Sequence, residues 1–411
     1  MLYRAYQAQV DLFGPLQTAA LKAADWWTHL WPAESPLRPL MQPLGAAMEV
    51  FSRMRLTHHR QPYGIDSVQV GDRLVPVRER AVHSTAFGTL LRFERADPPA
   101  ANEPPRPQVL IVAPLSGHFA TLLIDTVRTM LVDHDVHITD WHNARDVPLS
   151  EGRFGLDEYI AHLIEFMTVL GPHTHLVAVC QPCVPTLAAV AVMAADMHPA
   201  QPRSMTLMAG PVDCRINPTQ VNALAVGKPI DWFEKKLVST VPCGHVGAGR
   251  KVYPGFLQLT AFMSMNPSRH AKAFANLFEQ LGTGDTEAAG RTTAFYDEYF
   301  AVNDLHADFY LETVDQVFQR YTLAKGELMY QGRRVDCGAI RRTALFTVEG
   351  ERDDICAIGQ TVAAHDLCPG IRPYMKTHHV QLGVGHYGVF SGRRWQRQIY
   401  PRVRAMIQSH D

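Results

Sequence analysis

The sequence lacks long hydrophobic runs, blocks of charge and an ordered cysteine pattern. No apolar run approaches the roughly 20 residues of a membrane-spanning helix, and the first residues show no charged-then-apolar signal pattern. The 39 Lys and Arg residues and 40 Asp and Glu residues give a formal net charge of −1, and no basic block indicates a nucleic-acid partner. The seven cysteines are irregularly spaced, which favours a reducing compartment over a disulfide framework. We therefore expect a cytoplasmic protein without a transmembrane segment.

The chain divides into four segments. Its 411 residues, 46% of them hydrophobic, suffice for one large core with an inserted second domain. From residue 66 to 216, and again from 342 to 411, strand patterns alternate with helix patterns, which predicts a mostly parallel α/β sheet. Between them, residues 217–341 are rich in aromatic residues and methionine and have no such alternation. A mostly helical insertion of this kind is usually a cap over the site. Residues 1–65 are predicted to be helical.

The N-terminal helical segment is amphipathic and contains tryptophan. Trp26, Trp27 and Trp31 recur among several leucines. The simpler interpretation is a helical layer that packs on the core. The alternative is an apolar face that lies on a lipid or polymer surface, because tryptophan on an amphipathic helix favours interfaces.

One short segment combines a strand, a sharp turn and a helix start around a cysteine. Residues 176–179 form a β-branched apolar run that predicts a buried strand, and a helix is predicted from residue 184 to 193. Between them stands Ala178-Val-Cys-Gln-Pro182, which fits the small-x-nucleophile-x-turn pattern of a nucleophile elbow. A thiol there faces the positive end of a helix dipole, which favours the thiolate. Cys180 is therefore the predicted nucleophile.

Other interpretations of this cysteine stay open on the segment alone. Cys180 and Cys183 form a C-x-x-C pair at a helix start, which also suits a thioredoxin-type redox site. A zinc site would need a second pair of ligands, and the other cysteines show no such spacing, so no metal is expected. Cysteine is also often a small buried hydrophobic residue.

An acid and a histidine follow in the chain order that α/β-hydrolases use. Asp353 and its neighbour Asp354 follow one predicted strand, and His386 follows the last one, predicted over 380–384. Because catalytic side chains of such sheets meet at the carboxyl ends of the strands, we expect these residues to lie beside the cysteine. The histidine would accept the thiol proton, and the carboxylate would orient its ring. Asp353 is the preferred acid and Asp354 the alternative.

The oxyanion that forms during attack needs backbone donors. By the hydrolase pattern these are the N–H of the residue after the nucleophile and one N–H from the loop after an early strand. Here they would be the N–H groups of Gln181 and Leu115.

Taken together, these motifs resemble the intracellular poly(3-hydroxybutyrate) (PHB) depolymerases over the whole chain. The matching segments are Ala113-Pro-Leu-Ser-Gly-His118, Ile138-Thr-Asp-Trp141, Val179-Cys-Gln-Pro182, Tyr253-Pro-Gly-Phe256, Val348-Glu-Gly350 with Asp353-Asp-Ile355, and Gly385-His-Tyr-Gly-Val-Phe-Ser-Gly-Arg-Arg394. The resemblance implies an α/β-hydrolase fold, with helices on both faces of the sheet and a mainly helical cap. It gives the triad roles to Cys180, Asp353 and His386, with cysteine where extracellular depolymerases use serine.

The resemblance also implies a substrate and a location. The substrate would be the amorphous PHB of bacterial storage granules, cleaved at the granule surface in the cytoplasm to 3-hydroxybutyrate or its oligomers. Ser116, His118, Trp141 and Tyr387 lie in the matching segments and are expected to contact it. No cofactor is implied, although coenzyme A could replace water, because a thioester reacts readily with a thiol. The oligomeric state is left open, a homo-oligomer included.

Three other functions fit parts of the sequence. Polyester synthases share the order of cysteine, acid and histidine, and residues 295–303 resemble their cap, but their Gly-x-Cys-x-Gly-Gly box does not match residues 178–182. A cytosolic acyl-CoA thioesterase could use the same triad on soluble substrates. A granule-coat protein without activity would need only the N-terminal helices.

Overall fold

A nine-stranded, mostly parallel sheet forms the centre of the protein. The computed structural model describes residues 2–30, 38–97, 105–265 and 267–411; Trp31 of the predicted N-terminal helix lies outside these ranges. The strands are β1 (Ser67–Val70), β2 (Arg73–Ser84), β3 (Gly88–Arg95), β4 (Gln108–Val112), β5 (Asp135–Trp141), β6 (Thr174–Val179), β7 (Ser204–Met208), β8 (Ser239–Thr240), β9 (Lys251–Tyr253), β10 (Leu305–His306), β11 (Met329–Tyr330), β12 (Arg333–Arg334), β13 (Ala344–Gly350) and β14 (Lys376–Gln381).

The order of the strands identifies the fold. Across the large sheet it is β1-β2-β3-β5-β4-β6-β7-β13-β14. The strands from β1 to β3 pair antiparallel, and so do β3 and β5, whereas all later pairs are parallel. An antiparallel start, an exchange of β4 and β5 and a parallel remainder are the arrangement of an α/β-hydrolase. The fold predicted from the sequence is confirmed.

Helices cover both faces of this sheet. They are α1 (Leu2–Leu30), α2 (Arg38–Arg53), α3 (Ile124–Met130), α4 (Leu156–Leu170), α5 (Cys183–Ala195), α6 (Gln220–Val226), α7 (Ile230–Leu237), α8 (Gly255–Met265), α9 (Pro267–Thr283), α10 (Thr286–Tyr299), α11 (Ala307–Thr313), α12 (Ala364–Leu367), α13 (Gly392–Arg394) and α14 (Tyr400–Gln408). One apolar cluster joins the sheet to α4 and α5, and a second joins it to α3 and α14.

The apolar runs found in the sequence explain the burial of the central strands. Every residue of β6, β7 and β13 is buried, as in parallel strands that are covered on both faces. Helix α5 is buried over its first eleven residues, so it packs between the sheet and other helices rather than facing solvent. The elbow therefore lies between a completely buried strand and a helix that is buried over most of its length.

Two boundaries near the C-terminus differ from the sequence prediction. The last strand spans 376–381 instead of 380–384, because its register follows β13 and Gly383, at φ 73°, then turns the chain away. The helix predicted near 358–365 is largely replaced by turns. The Glu349 carboxylate accepts hydrogen bonds from three N–H groups in this stretch, which competes with helical pairing.

The chain between β7 and β13 forms an insertion outside the large sheet, in which these two strands are neighbours. It contains six helices of the described chain, from α6 to α11, with the small sheets β10-β9-β8 and β11-β12. This insertion spans the residues for which a cap is expected. Helices α1 and α2 lie against it: the Tyr3 hydroxyl donates to Asp304, and Arg53 pairs with Asp297.

Within the described ranges, none of the helices combines the length and the apolar character needed to cross a membrane.

Glycine at position 210 is required by the closeness of the Cys183 side chain. A Cβ added there would lie 2.2 Å from Cβ and 2.3 Å from Sγ of Cys183. We expect Gly210→Ala to lower the free energy of unfolding by about 1–3 kcal/mol through overpacking. Gly290→Ala is the matched control, because Gly290 is an exposed helical position with no atom within 4 Å of the added Cβ. It should raise stability by about 0.5–1 kcal/mol. Urea titrations of both variants test this; equal midpoints would contradict the packing argument.

Candidate active site

Cys180 lies on a strained turn between β6 and α5. Its φ is 68°, in the left-handed region that residues with a side chain rarely adopt. The turn is fixed on both sides: the N–H of Cys180 donates to the Met208 carbonyl at 2.8 Å, and its carbonyl accepts from the N–H of Cys183 at 3.1 Å. This is the geometry of a nucleophile elbow, and it leaves the half-buried thiol at the carboxyl edge of the sheet.

The second cysteine of the C-x-x-C pair lies inside the protein core. Cys183 is fully buried in α5, and its thiol donates towards the carbonyls of Ala178 and Met208. Burial raises the pKa of the Cys183 thiol, so it is not an exposed thiolate. A redox pair needs two accessible sulfurs, and the thioredoxin interpretation therefore has no support in this geometry.

The acid beside the histidine is Asp353. Its Oδ2 lies 2.8 Å from Nδ1 of His386. Its other oxygen accepts the N–H groups of Ile355 and Cys356, both at 2.9 Å, which fixes the carboxylate in one orientation. The side chain of Asp353 is buried, whereas Asp354 is exposed. Of the two acids left open by the sequence, the geometry favours Asp353.

The neighbours of His386 raise the pKa of its ring. Burial of the ring opposes protonation, but the charge of Asp353 and then that of Cys180, together with hydrogen bonds to both side chains, raise the pKa of His386 well above 6.5. An imidazolium beside a cysteine and a carboxylate can stabilise a thiolate and later protonate a leaving group. The three predicted residues are thus brought together in one site.

The loop after β4 lies beside the elbow. The indole N–H of Trp141 donates to the carbonyl of Ala113 at 3.0 Å, and the Tyr159 hydroxyl donates to the same oxygen at 3.3 Å. The N–H of Leu115, one of the two expected oxyanion donors, points to the Oε1 of Gln181 at 3.4 Å. The loop is therefore fixed against the residue that follows the nucleophile.

The four residues expected to contact substrate occupy different environments. Trp141 is only 2% exposed and supports the loop from within the core, a position that rules out the substrate contact expected for it. His118 is also buried, with Nε2 3.2 Å from the Tyr299 carbonyl, and burial lowers its pKa to about 4. Ser116 is half-buried in the loop. Tyr387 is half-buried and lines a pocket beside His386.

A pocket of about 530 Å³ separates the cap from the histidine loop. Its lining is mostly aromatic on the side of the insertion and includes His386: Phe262, His270, Ala273, Arg291, Thr292, Phe295, Tyr296, Tyr299, Arg352, Asp354, Ile355, Gly385, His386, Tyr387 and Gly388. The sequence shows that residues 217–341 are rich in aromatic residues, but it did not predict that any of them lies at the site. Their clustering near residues 295–300 was the available signal.

The C-terminal half of the chain matches a known protein family. Residues 209–411 match the family model described as PHB de-polymerase C-terminus. Residues 209–411 therefore belong to the PHB depolymerase family. Depolymerisation of a polyester breaks ester bonds, so this depolymerase-family protein is a carboxylic ester hydrolase. A comparison with curated proteins found no match.

Solved structures resemble this PHB depolymerase family member only at low similarity. The hydrolase BphD of Rhodococcus sp. strain RHA1 is 11% identical, with 82% of this chain and 99% of that chain covered, at a TM-score of 0.43. The esterase RhEst1 of Rhodococcus sp. ECU1013 is 13% identical, with 82% and 99% covered, also at 0.43. The monoacylglycerol lipase of Paleococcus ferrophilus is 12% identical, with 74% and 95% covered, at 0.42. TM-scores this low carry no argument about the fold, so the fold assignment rests on the strand order.

The two neighbouring acids of this depolymerase-family protein should respond differently to amidation. Asp353→Asn keeps an oxygen for the two backbone donors but turns an amide towards His386, so kcat on a soluble ester should fall by about 10⁴. Asp354→Asn, at an exposed position, should keep activity within about tenfold.

The pH profile gives a second readout. Since Asp353 raises the pKa of His386, its amidation lowers that pKa. The protonated form is then lost at a lower pH, and the alkaline limb of kcat/KM in Asp353→Asn should move to lower pH. A larger loss in Asp354→Asn, or an unmoved limb, would contradict this assignment.

Proposed function

We propose that this protein hydrolyses the ester bonds of amorphous PHB in cytoplasmic storage granules, through a Cys180–His386–Asp353 triad and a thioester intermediate. The principal support is the joint geometry of the strained elbow and the 2.8 Å contact between His386 and Asp353. Both parts are needed for a cysteine to attack an ester and for the alkoxide to leave. The family match supports PHB as the polyester.

The reaction has two steps. The Cys180 thiolate attacks the ester carbonyl, an oxyanion forms, and the C–O bond breaks as His386 protonates the departing hydroxyl end of the polymer. Water, deprotonated by His386, then attacks the thioester, and a carboxylic acid leaves as the thiol is restored. Coenzyme A in place of water would release 3-hydroxybutyryl-CoA, with the same balance of protons.

The pocket is consistent with a polyester substrate. Its aromatic walls can pack on the methyl and methylene groups of the polymer, and they limit the entry of water to the thioester. The ester groups have no charge, so the substrate needs no counter-ion in the pocket. A flexible amorphous segment can enter such a cleft, whereas a crystalline chain would first have to leave its lattice.

Helix α1 offers a surface for the granule. Leu12, Leu16, Trp26 and Leu30, here called the apolar stripe, lie on one side of the helix and are 66%, 57%, 61% and 43% exposed. Exposed apolar residues that are contiguous on a helix indicate contact with another apolar surface. The proposed occupant is the polyester surface itself.

Release of 3-hydroxybutyrate from protein-free amorphous granules tests the chemistry. Wild type should release product, and Cys180→Ala should lose at least about 10⁴ of the rate while staying folded, since triad members act as a unit. Cys243→Ala is the matched control, because it removes an exposed thiol far along the chain from the elbow. Release by Cys180→Ala at the wild-type rate would exclude the thioester mechanism. Parallel assays with and without coenzyme A identify the acceptor from the product.

Sedimentation with granules tests the apolar stripe. We expect a triple variant, Leu12→Lys, Leu16→Lys and Trp26→Lys, to bind granules at least tenfold more weakly, because each side chain loses about 1.5–3 kcal/mol of burial. Hydrolysis of a soluble ester should be unchanged. Leu74→Lys is the control, because Leu74 is as exposed as Leu12 but lies on β2, near one edge of the large sheet, and not on α1. Undiminished sedimentation of the triple variant would show that another surface holds the granule.

A further inference from the structure

The side chain of Gln181 is a buried amide with an unused donor at the catalytic centre. Gln181 is 9% exposed, and its Oε1 accepts the N–H of Leu115. Its Nε2 has no hydrogen-bond partner among the described residues. A buried donor without an acceptor costs about 1–3 kcal/mol, and native structures retain few of them. An acceptor that arrives with the substrate would remove this cost.

The contact with Leu115 determines which way the amide points. Rotation of the carboxamide by 180° would set Nε2 against the Leu115 N–H and place two donors face to face. The orientation with Oε1 on Leu115 avoids this, so Nε2 is directed away from that loop. The backbone N–H of Gln181 also makes no hydrogen bond within the described chain. One residue therefore presents two unused N–H donors directly after the nucleophile.

We propose that both oxyanion donors belong to Gln181, its backbone N–H and its side-chain Nε2–H. The N–H of Leu115 then acts indirectly, by holding Oε1 so that Nε2 faces the substrate oxygen. This changes the sequence-based expectation, in which Leu115 donates to the oxyanion itself. The inference rests on the proposed role of Cys180. It makes Gln181 a catalytic residue through its side chain as well as its backbone.

The rate of acylation of Cys180 by p-nitrophenyl butyrate tests the proposal. Removal of one oxyanion donor costs about 10²–10³ in rate, and Gln181→Met, which is similar in length and apolar, should show a loss of this size. Gln181→Glu should lose at least as much, because a carboxylate there offers no donor and repels the oxyanion. Burst kinetics give the rate of acylation. The mass of the acylated protein confirms that one butyryl group is attached.

Alkylation of Cys180 by iodoacetamide separates the donor from the nucleophile. This displacement at a saturated carbon forms no oxyanion, so Gln181→Met should be alkylated at the wild-type rate. Gln319→Met is the structural control. It removes a carboxamide that bonds the carbonyls of Ala225 and Lys228, away from the site, and should acylate normally even if it is less stable.

The outcomes distinguish a failure of the proposed Gln181 donor from a failure of the proposed function. If Leu115 is the direct donor, Gln181→Met frees its N–H, and acylation stays the same or becomes faster, which would overturn the proposal. A parallel loss of alkylation would also overturn it, because the change would act through the thiol. If wild-type Cys180 is not acylated at all, the proposed function itself fails and this inference falls with it.

Discussion

The left-handed backbone of Cys180 is the constraint on which the site depends. A residue with a side chain at φ 68° costs of order 1–3 kcal/mol, and this conformation persists because the surrounding structure determines it. The buried strand β6 and helix α5 fix the two ends of the turn, and the missing side chain of Gly210 leaves room for it. The same turn leaves the N–H of Gln181 without a backbone partner. The strain, the partial exposure of the thiol and the unpaired backbone N–H thus have one origin.

The second requirement is a buried carboxylate that is oriented by neutral backbone donors. Asp353, which follows β13, is held by two backbone N–H groups, and Glu349, near the end of β13, is held by three. Neutral donors stabilise a carboxylate but leave its charge to act on neighbours. His386 is the neighbour in contact with Asp353, and for this reason its pKa rises although its ring is buried. An arginine in place of these N–H groups would have cancelled the effect.

The sequence predicted those features that depend on a short stretch of chain. The elbow at Cys180 and the order of acid and histidine follow from apolar periodicity and from turn residues within a few positions. The choice between Asp353 and Asp354 does not follow from the sequence. Adjacent side chains point to opposite sides, and only the folded loop determines which of the two is buried. Trp141 was expected at the substrate because it lies in a matching segment, but its indole packs inside the core. The side chain of Gln181 gained its partner, Leu115, from a loop distant in sequence.

The helix with the apolar stripe is connected to the loop after β4 through two consecutive residues, Asp304 and Asn303. Tyr3, at the start of α1, donates to the buried carboxyl of Asp304, which also accepts the N–H of Gly255. The N–H of Asn303 donates to the carbonyl of Gly117, in the loop that follows β4. Burial raises the pKa of Asp304 to about 6, so loss of either partner would leave a poorly solvated carboxyl and is disfavoured. The orientation of α1 is therefore fixed relative to the site. Under the proposed function, a surface that holds the apolar stripe would also set the direction from which a polymer segment reaches Cys180.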